Sequence, residues 1–174
     1  MNFKFLPVMG VALMSNVAIA AVPLTGLYQT IDDTTNQPKS VVMLYEYARG
    51  DDVALGGRIV ALYDAAGAVA ETVAHPVKIA DRVAGAPTFV GLDIIRDMKW
   101  DADDNRFSDG KIMDPQSGKV YSSVIWQDAP GTLNVRGKIG PFGRTQIWRA
   151  VDAATLPTEL QNLNTKNWTP STGK

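Results

Sequence analysis

The sequence contains no cysteine and a single histidine, and both absences restrict its chemistry. Without cysteine there is no disulfide, no thiol nucleophile and no thiolate metal ligand. An exported lipoprotein needs a cysteine to carry its lipid, so we also expect no stable membrane anchor. One histidine cannot build a multi-histidine zinc site, and we expect His75, which precedes Pro76, to be a surface loop residue.

Motifs for cofactors and common catalytic centres are absent as well. The chain has no glycine-rich phosphate loop and no Gly-x-Ser-x-Gly nucleophile turn. Asp101, Asp103 and Asn105 have the alternate spacing that opens a calcium loop, but Ile112 stands where a bidentate Glu is required. We therefore predict no cofactor, no metal site and no assigned catalytic residue.

Basic and acidic residues are present in nearly equal numbers. The chain carries 17 Lys and Arg against 18 Asp and Glu, a formal net charge of −1. Proteins that bind nucleic acid neutralise phosphates with a basic face, and this composition gives no such excess. We therefore expect no nucleic acid among the partners.

The first 20 residues have the pattern of a signal peptide. Lys4 provides a positive start, residues 5–17 form an apolar segment, and Ala18-Ile19-Ala20 is a small-x-small cleavage site before Ala21. The apolar segment is too short for a comfortable membrane span. We predict export to the periplasm, with residues 1–20 as signal peptide, 21–151 as a β-barrel domain and 152–174 as a C-terminal tail.

Residues 106–151 contain four strand-like runs separated by three compact turns at 114–118, 128–131 and 140–143. In the first turn, Asp114 can accept a backbone N–H and Gly118 can supply the positive φ of a tight return. Side chains of opposite polarity alternate between the turns, which is the pattern of hairpin strands. This region is predicted to be an antiparallel meander.

Earlier strand-like segments at 22–30, 41–47, 55–63 and 88–95, the last of which extends toward Trp100, raise the total to about eight strands. Several are apolar on both faces, so an open sheet would expose edges and an uncovered face. We predict a small antiparallel up-and-down, lipocalin-like barrel, with a β-sandwich as the alternative. Gly57 and Gly137 are predicted to lie where a side chain would clash or a strand bends.

Two segments are less regular. Residues 64–87 are rich in alanine and are compatible with either a short helix after Pro76 or an ordered loop. The tail is expected to form one or two helical turns at 157–163 and to fray through 169–171.

Three segments carry a resemblance to a known family: Gly26-Leu27-Tyr28, residues 91–95 (GLDII) and above all residues 135–148 (VRGKIGPFGRTQIW). In these the chain resembles the DUF2147 family of exported bacterial proteins of uncharacterised function. The resemblance implies an envelope location and no known activity. Many members carry Trp at the position of Tyr28 and a cysteine pair within 64–87, so no redox or metal-binding role is carried over to this chain.

The terminal strands suggest a specific contact. Gly26-x-Tyr28 in the first strand and Arg149 in the last are similar to the lipocalin pattern, in which an Arg covers a Gly-x-Trp aromatic at the barrel floor. We therefore predict that Arg149 stacks on Tyr28, with Trp148 in the core.

Four polar side chains on strands are the candidate ligand contacts: Arg136, Arg144, Gln146 and Tyr121. Arginine can bind a carboxylate or a phosphate in a bidentate manner. The same arginines could instead be exposed or satisfy interior carbonyl groups, and the sequence leaves both interpretations open.

The function that these features favour is a periplasmic binding or envelope-accessory protein that holds a small amphipathic or acidic molecule in a barrel. The expected partner is this small molecule or an envelope protein. Two alternatives remain: a structural interaction module with a filled barrel, and an enzyme that uses Asp114 or the Asp32/Asp33 pair as acid–base groups.

Overall fold

The computed structural model describes residues 24–171. The predicted signal peptide and its cleavage site at Ala21 lie outside the described residues. None of the helices within residues 24–171 is long and apolar enough to cross a membrane.

Nine β-strands make up most of the described chain, followed by a single 3-10 turn, Ala153–Thr155, and one short helix, α1, Thr158–Gln161. The strands are β1 Gly26–Ile31, β2 Pro38–Arg49, β3 Asp52–Tyr63, β4 Val69–Thr72, β5 Asp93–Asp101, β6 Arg106–Met113, β7 Val120–Ala129, β8 Thr132–Ile139 and β9 Phe142–Ala150.

Eight of these strands close into an antiparallel barrel. The ring consists of β1, β2, β3 and β5–β9, and each of these strands pairs with the next one in the ring. Strand β4 lies outside the ring: it pairs with β3, which also pairs directly with β5. The ring closes where Tyr28 and Gln29 of β1 lie opposite Ala150 and Arg149 of β9. Closure satisfies the edge strands that an open sheet would expose, so the predicted barrel is confirmed and the sandwich alternative is wrong.

The hairpin turns have the local chemistry that holds such a meander in register. The Asp114 carboxylate accepts hydrogen bonds from the Gln116 N–H at 3.0 Å and the Ser117 hydroxyl at 2.6 Å. Gly118 has a φ of +70°, and an added Cβ would strike the carbonyl oxygen of Arg82. This turn therefore reverses the chain within a few residues, and it packs against Arg82 of the connection between β4 and β5.

The interior of the barrel is packed with apolar side chains from alternate strand positions. Their alternation follows from the period of two in a β-strand, which sends every second side chain inward. The strands of the barrel contribute to this core the buried residues Tyr28, Val42, Leu44, Leu55, Ile59, Leu62, Ile94, Ile95, Met98, Phe107, Ile125, Leu133, Val135 and Trp148.

A second, smaller core lies on the outside of the barrel. Leu27, Val41 and Val60 point outward from β1, β2 and β3, and they are covered by Leu156 and Leu160 of the tail. Leu160 of α1 is completely buried. This cover explains why these strands are apolar on both faces.

Residues 64–87, all of which the structure describes, contain strand β4 and an ordered loop, and the helical alternative does not form. Ala80 donates its N–H to the Pro87 carbonyl, and Phe89 donates to the Lys78 carbonyl. These bonds make an antiparallel bridge between Ile79 and Thr88. The backbone groups that a helix would need are therefore paired across the loop.

The end of the tail is bound to the barrel, and the expected fraying through 169–171 is wrong. The Asp93 carboxylate is completely buried, and it accepts hydrogen bonds from the Ser171 N–H at 2.8 Å and from Arg58 at 2.8 and 2.9 Å. The Arg58 guanidinium also lies 4.3 Å from the centre of the Trp168 ring. A buried carboxylate needs several donors, and the tail supplies two of them, the N–H and the hydroxyl of Ser171.

Candidate functional site

A cavity of about 530 Å³ opens at one end of the barrel, between the β1–β2, β6–β7 and β8–β9 turns. Its deeper wall is apolar and contains Ile59, Ile94, Ile112, Val135 and Trp148. At the other end of the barrel, the depression beside Trp100 and Ile125 has a volume of only about 50 Å³. The larger cavity falls within the range of roughly 300–1,000 Å³ that small-molecule sites occupy.

The lip of the cavity includes two exposed apolar side chains. Ile139 and Phe142 lie opposite each other at the ends of β8 and β9. Ile139 is 65% exposed and Phe142 is 80% exposed. They extend the apolar wall beyond the rim, where an amphipathic molecule would enter.

Polar groups meet on one side of this rim, in a set that we call the rim cluster: Asp33, Arg144, Gln146 and Trp148. Gln146 Nε2 donates to Asp33 Oδ2 at 3.0 Å, and Arg144 forms an ion pair with the same oxygen. Trp148 Nε1 donates to Gln146 Oε1 at 3.3 Å. The cluster ties the β1–β2 loop to β9 across the mouth.

Strand alternation explains how β9 contributes three members of this cluster. Trp148 faces inward and is 1% exposed, so Gln146 and Arg144, at spacings of two and four, face the same side. Their side chains rise from the packed interior toward the rim. The strand thus presents an indole N–H, an amide and a guanidinium in order of increasing exposure.

The other two rim carboxylates stabilise their own turns. Asp32 Oδ1 accepts hydrogen bonds from the N–H groups of Thr34 at 3.0 Å and Thr35 at 2.9 Å. These hydrogen bonds hold the pKa of Asp32 below its ordinary value. Asp114 caps the β6–β7 turn. A general acid at neutral pH needs a raised pKa, so the geometry at Asp32 does not favour acid catalysis.

The structure brings together three of the four predicted contact residues. Tyr121, Arg144 and Gln146 line the cavity, whereas Arg136 does not. Arg136 follows the inward Val135 on β8 and therefore faces outward, where its guanidinium donates to the Thr145 hydroxyl at 3.3 Å. Ligand contact by the three lining residues stays a prediction.

The predicted stacking of Arg149 on Tyr28 is wrong. The two strands are neighbours, but Tyr28 points into the core and is 7% exposed, whereas Arg149 lies opposite Gln29 and is exposed. Within the described residues, the cation–π contacts are made by Arg58 and Lys78. Among these residues no cation covers Tyr28, and burial in the core raises the pKa of Tyr28. Gly26, with a φ of +140°, begins β1 ahead of it.

Sequence reasoning did not find the role of Asp33. The sequence indicated Asp33 only as an acid–base group in a polar turn, and its partner Gln146 is 113 positions away. It also did not find the pair of Thr30 and Ser40, whose hydroxyls lie 2.7 Å apart on the cavity wall. Asp33 and Gln146 meet only when β1 closes the ring against β9. Thr30 and Ser40 meet through the register of the β1–β2 hairpin, which was not assigned from the sequence.

Across residues 24–171, no three His, Cys, Asp or Glu side chains converge as metal ligands would. The rim cluster holds one carboxylate and two donor groups, a set suited to binding an anion.

Comparisons with known proteins agree with this architecture. A model of the family described as "Uncharacterized protein conserved in bacteria (DUF2147)" matches residues 26–150. Among solved structures, the chain is similar to a protein from the human pathogen Helicobacter pylori that is described as belonging to the lipocalin family. The two are 20% identical, with a TM-score of 0.55, over 82% of this chain and 93% of the other, which shows the fold alone. A search of curated proteins finds no match.

Proposed function

The chain belongs to the DUF2147 family and has a lipocalin-like barrel, and from this premise we propose that it binds a small amphipathic molecule in the open end of the barrel. The apolar part of the molecule would lie against the deeper wall, and its polar part would remain at the rim. Burial of apolar surface would supply most of the affinity, and the rim contacts would orient the ligand.

The cavity of about 530 Å³ is the observation that carries this proposal. It combines an apolar wall formed by Ile94, Ile112 and Val135 with polar groups at a single opening. A purely structural barrel would be expected to fill this space with side chains, as the other end of this barrel does. The cavity therefore supports the binding function over the filled structural module.

We propose the periplasm as the compartment in which this binding occurs. The support is the signal-peptide pattern of residues 1–20 and the exported nature of the proteins that the chain resembles. A protein in this compartment meets amphipathic molecules that travel between the two membranes of the cell envelope.

A substitution that fills the cavity tests the proposal. Gly137 lines the cavity, and a Cβ added there would lie 3.4 Å from the nearest side-chain atom, which is ordinary contact. Gly137→Leu should therefore project into the open space without disrupting the strand. Lys138→Leu is the matched control, because this neighbouring side chain faces away from the cavity.

The experiment measures binding of an environment-sensitive apolar dye and, by native mass spectrometry, any small molecule that co-purifies from the periplasm. We expect the wild type and Lys138→Leu to bind the dye and Gly137→Leu to lose it, with unchanged circular dichroism for all three. Equal binding by Gly137→Leu, or no binding by the wild type, would contradict the proposal.

A further inference from the structure

We propose that the cavity selects amphipathic molecules with an anionic head group, and that Asp33 occupies the head-group position until such a molecule replaces it. This inference rests on the proposed function and assigns its ligand class. The argument starts from the two donors that converge on Asp33 in the rim cluster.

The amide of Gln146 has a defined orientation. Trp148 Nε1 donates to Gln146 Oε1, and an indole N–H can only donate, so the amide oxygen must face the indole. The Nε2 group then faces Asp33, to which it donates at 3.0 Å. Since Trp148 is buried in the core, this amide is oriented by the rigid part of the barrel.

Arg144 supplies the second donor to the same carboxylate oxygen. A guanidinium and an oriented amide that meet at one oxygen match the acceptor geometry of an anion. The anion present is the side chain of the protein itself. A carboxylate on a ligand would make the same contacts.

Asp33 can leave this position at little cost. Its side chain is 33% exposed and that of Arg144 is 70% exposed, and exposed ion pairs contribute little to stability. The β1–β2 loop does not depend on Asp33 for its shape. Asp32 caps it through Thr34 and Thr35, and the Asp32 N–H donates to the Gln37 carbonyl at 2.9 Å.

Apart from Asp33, the charges at the mouth are balanced, with Asp32 and Asp114 against Lys39 and Arg144. Asp32 and Asp114 accept hydrogen bonds from their own turns, which hold these two carboxylates away from the Arg144 position. Lys39 lies 3.9 Å from Asp32, a loose contact that leaves its ammonium able to face a ligand. Once Asp33 moves away, Arg144 loses its carboxylate partner and can bind an anionic head group at the rim.

Three probes with the same tail separate the head-group chemistries: decanoate, decanol and decylamine. Their affinities for the chain that begins at Ala21 are measured by calorimetry at neutral pH. We expect the wild type to prefer decanoate. Asp33→Asn removes the competing charge and should raise the affinity for decanoate by about fivefold, the upper range for an exposed ion pair, while decanol binding stays unchanged.

Arg144→Met should lower the affinity for decanoate to that for decanol. Arg149→Met is the matched control, since it removes the same charge from the same strand on the outer face and should change neither affinity. This control separates a local contact from the general effect of net charge.

The outcomes also distinguish this inference from the proposed function. Equal binding of decanoate and decanol, with no change in Asp33→Asn, would overturn the anion selectivity and leave the binding function in place. A preference for decylamine that Asp33→Asn abolishes would show that Asp33 recognises a cation, and would likewise overturn it. If the wild type binds neither the three probes nor the apolar dye, the proposed function fails as well.

Discussion

Single residues show how unevenly the barrel interior is packed. A Cβ at Gly57 would lie 2.9 Å from Leu44 Cδ2 and 3.1 Å from Ile95 Cβ, which is closer than real contacts allow. At Gly137 the nearest atom would be 3.4 Å away, and β8 pairs there without a change of register. The prediction that a side chain would clash or a strand bend is thus confirmed at Gly57 and wrong at Gly137.

The two glycines should therefore respond differently to the same substitution. Gly57→Val should lower the free energy of unfolding by about 1–3 kcal/mol or more, because a packed core resists added volume. Gly137→Val should cost less than about 1 kcal/mol, because the cavity accepts the side chain. Urea melts of both variants provide the measurement, and equal losses would contradict the packing difference.

Tyr45 is expected to make the folded protein less stable at high pH. Its side chain is 1% exposed and its hydroxyl donates to Asp93 Oδ1 at 2.8 Å. Burial, followed by this hydrogen bond to a carboxylate, raises the pKa of Tyr45. An unfolded tyrosine ionises near pH 10, so above that pH the unfolded chain loses a proton that the folded chain keeps. The free energy of unfolding should then fall as the pH rises.

The test compares urea midpoints of the wild type and Tyr45→Phe between pH 8 and 11, each normalised to its own value at pH 8. Phenylalanine cannot ionise, so the variant should lose less stability above about pH 10. Some loss should remain, because burial also raises the pKa of Tyr28, Tyr47 and Tyr63. Identical pH profiles would show that Tyr45 does not contribute.

Among the structural elements, the tail is the one whose role differs most from its sequence pattern. Its composition suggests an end that frays, yet Leu160 and Trp168 cover the outer faces of β1–β3 and Ser171 completes the hydrogen bonds of Asp93. A buried carboxylate without enough donors is costly, so the tail and the barrel stabilise each other.

Truncation after Asn167 should therefore destabilise the barrel. It removes the Trp168 ring from Arg58 and the Ser171 N–H from Asp93, and we expect a loss of about 2 kcal/mol or more. Trp168→Ala keeps Ser171 and should lose only part of this amount. The measurement is the urea midpoint with its slope, and an unchanged midpoint after truncation would mean that the tail is not part of the stable fold.

For the whole molecule, closure of the ring is the decisive feature. The pairing of β1 with β9 satisfies the last edges and brings the β1–β2 loop beside Arg144 and Gln146. The same ring that makes the fold stable therefore builds the rim cluster.

Export is the prediction that concerns the chain as a whole. When the full chain is expressed in a Gram-negative host, N-terminal sequencing of the periplasmic protein should begin at or within two residues of Ala21, because Ala18-Ile19-Ala20 fits the cleavage site. Detection of an intact Met1 in exported protein would contradict it.

Much of the fold could be predicted because its determinants are local. Turns such as 114–118 and the alternation between them identify strands and hairpins, and eight such strands with apolar faces favour a closed barrel. The candidate site was predictable in part: Gln146 and Arg144 share a face with Trp148 by spacing alone, and Tyr121 of β7 also lines the cavity. The helical spacing within 64–87 was misleading, because bonds across the loop outweigh a weak local preference.

The sequence by itself thus determined the strands, their order and the barrel, since alternation, turn residues and short connections act between near neighbours. Only the tertiary structure decided that Asp33 meets Gln146 and that Ser171 reaches Asp93. These contacts depend on the register in which the ring closes and on where the tail packs. Turn geometry and alternation set the register between consecutive strands, but no turn joins β1 to β9, so the register of ring closure depends on the whole fold.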